Sequence, residues 1–246
     1  TGLGNTAIGY DALYKTTQGG ENVAVGKMAG YNYAGTSATT EGAFSTFLGY
    51  AAGYAVTGGV NWGHVIAIGH QPMYNATGAN KSMAIGNSAL VSGTNALDMI
   101  AIGQGAGSYG DATGSVYIGN RAGFRPDGNY NVAIGHNAMS GASAGSTAAA
   151  NIAIGREVML NTTSAYDNVV IGTLAGYDMT SAHSNTLVGY MAGTNITDGD
   201  SNVAIGKDAL KAVTTTDDNV AIGERAGSGS TGAANIYIGR LAGAAN

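Results

Sequence analysis

The chain has 246 residues, 42 of them glycine, and only 10% are charged, against usual shares of ~7% glycine and ~25% charged residues. Ten basic residues against fifteen acidic ones, with no basic run, exclude the electrostatic footprint of a nucleic-acid or anionic-membrane partner. Two prolines exclude collagen, 44% hydrophobic content argues against a disordered tract, zero cysteines leave no disulfide framework, and no apolar stretch nears the ~18 residues that span a bilayer.

From its first residues the chain repeats one phrase. It reads NTAIGYDAL from Asn5, NVAVGKMAG from Asn22, NVAIGHNAM from Asn131, NVAIGKDAL from Asn202 and NIYIGRLAG from Asn235. The motif glycines fall at 9, 26, 49, 69, 86, 103, 119, 135, 155, 172, 189, 206, 223 and 239. Most steps are 16 or 17 residues, with longer ones of 23, 20 and 20 ending at Gly49, Gly69 and Gly155. So short a period is wrong for helix-pair repeats of thirty residues or more, and the alternation within the phrase has period two. The expectation is all-β: a parallel β-solenoid of about fourteen short coils. It forms a single array over 1–246, with expanded coils around 27–74 and 136–154.

Each position in the phrase suggests a role. The residue before the glycine is aliphatic in every copy, as at Ile8, Ile68, Ile102, Ile134, Ile154, Ile205 and Ile222, and is expected to fill the core together with the β-branched residue two places earlier. Alanine mostly stands between them, a small face suited to close approach by another sheet or chain. The glycine, as at Gly9, Gly135, Gly155 and Gly206, is expected to turn a sharp corner. Three residues later comes alanine, except at Pro72 and Val158. Asparagine opens nine copies and, once stacked, can form amide ladders. The fourth residue after the glycine is bulky or glycine in pairs of coils, a four-coil rhythm that breaks at Gly227. It hints that successive coils meet different surroundings, as they would if packed against other chains.

The phrase NVAIG, two variable residues, then alanine resembles the β-roll heads of YadA-type trimeric autotransporter adhesins, and it is also similar to the repeat regions of phage tail fibres. The adhesin heads repeat at a shorter period, so the longer coil favours the phage-fibre kind. Pro72, Phe47, Tyr117 and Tyr237 depart from the pattern. The resemblance implies a homotrimer of left-handed β-rolls, displayed outside the cell on a virion or cell surface, with no enzymatic activity. An alternative reading is the subunit of an extracellular filament that stacks head to tail.

Motifs that carry chemistry are scarce, and no catalytic residue, cofactor or metal is expected. GASAG around Ser143 fits a nucleophile-elbow pattern but lacks the strand-to-helix context. His64, His70, His136 and His183 show no ligand spacing, and the acidic stretches at Asp198 and Asp217 do not match a calcium loop. Sequons at Asn75, Asn80, Asn161 and Asn195 follow from composition, and the threonine clusters are expected not to recur in register as a flat Thr-x-Thr face. The one anomaly is aromatic: eight of eighteen aromatic residues lie between Tyr31 and Tyr74. Tyr33, Tyr54 and Trp62 are therefore the receptor-binding candidates, for a host-surface glycan or protein.

Overall fold

A short strand followed by a glycine corner recurs throughout. The computed structural model describes residues 3–16, 19–33, 44–56, 63–93, 96–125, 128–141 and 146–244. The chain divides into two compact units, Thr1–Arg121 and Ala122–Asn246. In the first, β1 (Thr6–Ile8), β2 (Val23–Val25), β3 (Thr46–Leu48), β4 (Ile66–Ile68), β5 (Met83–Ile85), β6 (Ile100–Ile102) and β7 (Val116–Ile118) form one parallel sheet in chain order. In the second, β8 (Val132–Ile134), β9 (Ile152–Ile154), β10 (Val169–Ile171), β11 (Thr186–Val188), β12 (Val203–Ile205), β13 (Val220–Ile222) and β14 (Ile236–Ile238) do the same. Among the described residues no helix forms. This is a parallel β-solenoid. Equivalent repeat positions pair throughout, as Ala153 with Val170, even across the three long coils. Much of the extra length of those coils (34–43, 57–62 and 142–145, the last including Ser143) lies outside the described residues.

The expected sidedness of the strand is inverted. Its middle residue points inward: Ala24, Ala67, Ala84, Ala101, Ala133, Ala153, Ala204 and Ala221 are fully buried. The flanking aliphatics point out of the coil. Ile8 is 60% exposed and Ile205 and Ile222 are each 39% exposed, while Ile68, Ile102, Ile134 and Ile154 are half-buried. None of these seven isoleucines is a coil-core residue. The reason is the width of the coil: a turn of about seventeen residues has no room for two branched side chains per strand. It closes instead around the strand alanine, the alanine (or Val158) after the corner and a larger side chain in the next position, such as Leu90, Met159 or Leu210, joined in some coils by another farther round, such as Val213 in the coil of Leu210.

That larger side chain explains the paired glycines, and neighbouring chains are not needed to account for them. Where the strand centre carries Phe47, Tyr117, Leu187 or Tyr237, the core volume is already taken. A Cβ at Gly193 would lie 2.8 Å from Leu187 Cδ1 and from Ile196 Cδ1 in its own coil, and one at Gly53 would strike the Phe47 ring. The intrusion reaches the preceding coil as well: a Cβ at Gly30 would lie 3.0 Å from Phe47 Cδ2, one at Gly107 3.1 Å from Tyr117 Cδ2, and one at Gly227 2.7 Å from Tyr237 Cδ2. Phe47, Leu187 and Tyr237 thus each set glycine in two coils, and Tyr117 sets it at least at Gly107. The rhythm breaks at Gly227 because Tyr237 arrives after three coils, whereas Tyr117 and Leu187 each follow their predecessor by four. The slot is left-handed whichever residue fills it, with φ of 50° at Leu90, 49° at Met159 and 56° at Gly193.

The corner glycines sit where the reading placed them. Gly9, Gly135, Gly155 and Gly206 have φ between 134° and 145°, and a Cβ on Gly155 or Gly206 would lie 2.6 Å from the carbonyl oxygen of the next coil's glycine. Past the corner, the backbone still bonds coil to coil. The Glu157 N–H donates to His136 O at 2.9 Å, and the Met159 N–H donates to Ala175 O at 3.2 Å. Alternate residues thus bond to the coil below and the coil above, which offsets left-handed backbone at ~1–2 kcal/mol per non-glycine residue.

The asparagine ladder forms as expected. From Asn131 to Asn235 in the second unit, each Oδ1 accepts both the backbone N–H and the side-chain amide of the next asparagine. For Asn151 the bonds from Asn168 measure 3.1 and 2.9 Å, and the Asn168 amide donates again to Tyr166 O and Ala182 O. Buried amides so fully bonded fix the register of successive coils.

Candidate functional site

Two surfaces of the solenoid are candidates for contact: a row of tyrosines beyond the corner and the outward face of the sheet. The fifth residue after the motif glycine leaves the coil just past its left-handed slot. In the first unit this position holds Tyr14, Tyr31, Tyr54 and Tyr74 in successive coils. Their rings stack nearly parallel, with centroids 5.6, 4.9 and 4.7 Å apart, and the Lys15 ammonium lies 5.2 Å from the Tyr31 ring centre.

Stacking has a chemical consequence. Rings that cover one another's faces present edges and hydroxyls to solvent, so a sugar lacks the open faces it would need between neighbours. The row can donate and accept hydrogen bonds at regular intervals and offers a rigid apolar edge. Beside it, Tyr50 stacks on His70 at 5.1 Å, and Lys27 reaches 5.9 Å from the Tyr10 ring, which is itself 70% exposed.

The three receptor candidates separate. Tyr54 belongs to the row. Trp62 lies outside the described residues. Tyr33 is a correction: it is fully buried, packed at 5.0 Å on Phe47, with its hydroxyl 3.0 Å from Ser45 Oγ. It fills the core of an expanded coil and contacts no solvent. The residues missed were Tyr14, Tyr31 and Tyr74 as partners of Tyr54, although each stands five places after a motif glycine.

Burial pushes the Tyr33 phenol above its ordinary value of 10.0, a rise that the Ser45 hydrogen bond partly opposes. A folded-state value above the unfolded one means that the associated stability is complete below pH 10 and is lost as pH rises toward the folded value. Melting temperature is therefore expected to fall with pH above 10 in the native chain and to fall less in Tyr33→Phe. That variant loses only ~1 kcal/mol at neutral pH, the worth of one hydrogen bond. Ultraviolet titration checks it: if Tyr33 ionises together with the exposed tyrosines, the assignment fails.

The remaining chemical candidates are accounted for by structure. His64 stacks on Phe44 and His183 on Tyr166, and His183 Nε2 lies 2.8 Å from Asp200 Oδ2. Asp198 accepts hydrogen bonds from Ser181 and, less strongly, Thr180, which hold its carboxyl below the ordinary carboxylate range, and Asp217 accepts the Asp200 N–H. Among the described residues no group of three His, Asp or Glu is placed to hold a metal ion. One threonine row recurs in register: Thr163, Thr180 and Thr197 each donate to the next coil's carbonyl, ending at Thr214. Its flanking outward row is Asn161, Asp178, Asn195 and Ala212, so no double threonine face results.

The second surface is the sheet's outer face. Two outward positions per strand, mostly Ile or Val, stand in register along each unit. Their exposure runs from half-buried to the 73% of Ile236. Such a face is unlike the mixed polar surface of a soluble monomer, where contiguous apolar patches stay small. No family model, curated protein or solved structure matches the chain.

Proposed function

We propose that this chain is a non-enzymatic structural segment of an extracellular fibre, a tail fibre or surface adhesin. It associates as a homotrimer through its outer aliphatic rows and contributes to attachment through its side surfaces. The observation that carries this reading is the inverted sheet. A solenoid that keeps alanine inside and places isoleucine and valine outside has its larger apolar side chains where only another molecule can cover them. A second copy offers the same spacing between coils and so can match the rows along their length. The NVAIG phrase, by resemblance, points the same way. The edges and hydroxyls of the tyrosine row remain free to meet a protein, and the other exposed side chains a glycan or protein, on a host surface.

Sedimentation tests the association. The native chain is expected to run at three times its 24.3 kDa mass. Changing Ile152, Ile171 and Ile205, each 37–39% exposed, to glutamine together should release single chains that keep their β-sheet circular dichroism. A native chain that stays monomeric at high concentration contradicts the trimer, and open-ended growth would favour the head-to-tail filament.

A further inference from the structure

The corner groove of the second unit carries charge that its own carboxylates do not balance. Lys207, Asp208 and Lys211, in the turn after β12, face Glu224 and Arg225, in the turn after β13, across a groove of about 410 Å³ edged by Ser228. This volume falls in the range of small-ligand sites, ~300–1,000 Å³.

Both carboxylates are already occupied. Asp208 has Lys211 Nζ at 3.1 Å and Lys207 Nζ at 4.0 Å, and Glu224 has Arg240 Nε at 3.4 Å. No ion pair among the described residues uses Arg225. Three cations against two carboxylates leave the groove lining one positive charge in excess, and Arg240, which pairs Glu224 from outside the lining, adds a second, on a chain whose net charge is −5. The Arg225 backbone is fixed: its N–H donates to Lys207 O at 2.8 Å and its carbonyl accepts from the Ser228 N–H at 3.2 Å. A guanidinium with a fixed base, an exposed head and no partner matches a planar carboxylate, to which it can donate two parallel hydrogen bonds. Ser228 supplies a hydroxyl within the same groove, and the two lysines are only partly tied down, at 40% and 58% side-chain exposure.

We infer that this groove binds an acidic sugar, with the carboxylate held by Arg225 and the sugar hydroxyls by Ser228 and the flanking lysines. The inference deepens the attachment reading and rests on it. It names the ligand class as carboxylated surface polysaccharide.

The test titrates a glucuronate-containing oligosaccharide into the full chain by calorimetry, alongside its carboxyl-reduced form and a neutral backbone bearing sulfate. Binding is expected for the carboxylated sugar, at least tenfold weaker for the reduced one, and weaker at high salt. Arg225→Gln should lower affinity at least tenfold and Arg225→Lys by less, with melting temperature unchanged because the side chain is exposed. Arg156→Gln, which removes another exposed guanidinium, beside Glu157, should leave affinity unaltered. Equal affinity for the reduced sugar, tighter binding of the sulfated one, or an equal loss in Arg156→Gln overturns the assignment. Retention of native protein on host surfaces without affinity for the acidic sugar sinks the groove alone. Loss of surface retention with affinity intact sinks the attachment reading instead.

Discussion

Gly155→Val is expected to prevent the second unit from folding, whereas Arg156→Val, one residue on, should cost within ~0.5 kcal/mol. Gly155 has φ of 145°, where L residues are strained and a β-branched one most of all, and its missing Cβ would lie 2.6 Å from the Gly172 oxygen and 2.7 Å from the Gly172 carbonyl carbon. Neither atom can retreat, since the Gly172 N–H donates to Ile154 O and the Gly189 backbone lies so close behind that a Cβ on Gly172 would itself strike the Gly189 oxygen. The side chain of Arg156 is 57% exposed, and its one ion pair among the described residues is with Glu157, at 3.7 Å. Urea denaturation of the two variants decides the matter. Comparable midpoints would remove the corner from the account.

The second large effect follows from the inverted strand. Ala153→Gln forces a long polar side chain into a fully buried slot paired in register with Ala133 and Val170. Overpacking costs ~1–3 kcal/mol and an unpaired buried amide a further ~1–3 kcal/mol, so a loss of about 4 kcal/mol is expected. Ile152→Gln, the adjacent residue on the outer face, should cost the single coil under 1 kcal/mol and act on association instead. Melting temperature and sedimentation on the two variants separate fold from assembly. A stable Ala153→Gln that merely dissociates would restore the original sidedness.

Much of this molecule can be read from its residues. The glycine steps give the coil length, the aliphatic–alanine–aliphatic triplet gives the strand, and the opening asparagine gives the ladder that Asn151 and Asn168 build. Each is local or strictly periodic, so one coil predicts the next. The tyrosine row was legible in the same way, through the common offset of Tyr14, Tyr31, Tyr54 and Tyr74 from their glycines. Sequence clustering drew attention to Tyr33 instead, because nearness along the chain does not separate a ring in the core from one on the surface two residues earlier.

The sequence by itself determined the repeat, the strand, the corner and the absence of any helical alternative, because period and backbone sterics act within a few residues. Only the tertiary structure decided which side of the strand is inside. Period two states that Ile152 and Ile154 share a face and that Ala153 lies opposite; it carries no sign. The sign comes from closing about seventeen residues into a turn whose interior admits a small residue at the strand centre in most coils, another small one after the corner and only one or two larger side chains, such as Leu210 with Val213. The same closure decided that Phe47, Tyr117, Leu187 and Tyr237 must be answered by glycine in an adjacent coil. Core volume is shared between coils that are consecutive in space, and this relation exists only once they are stacked.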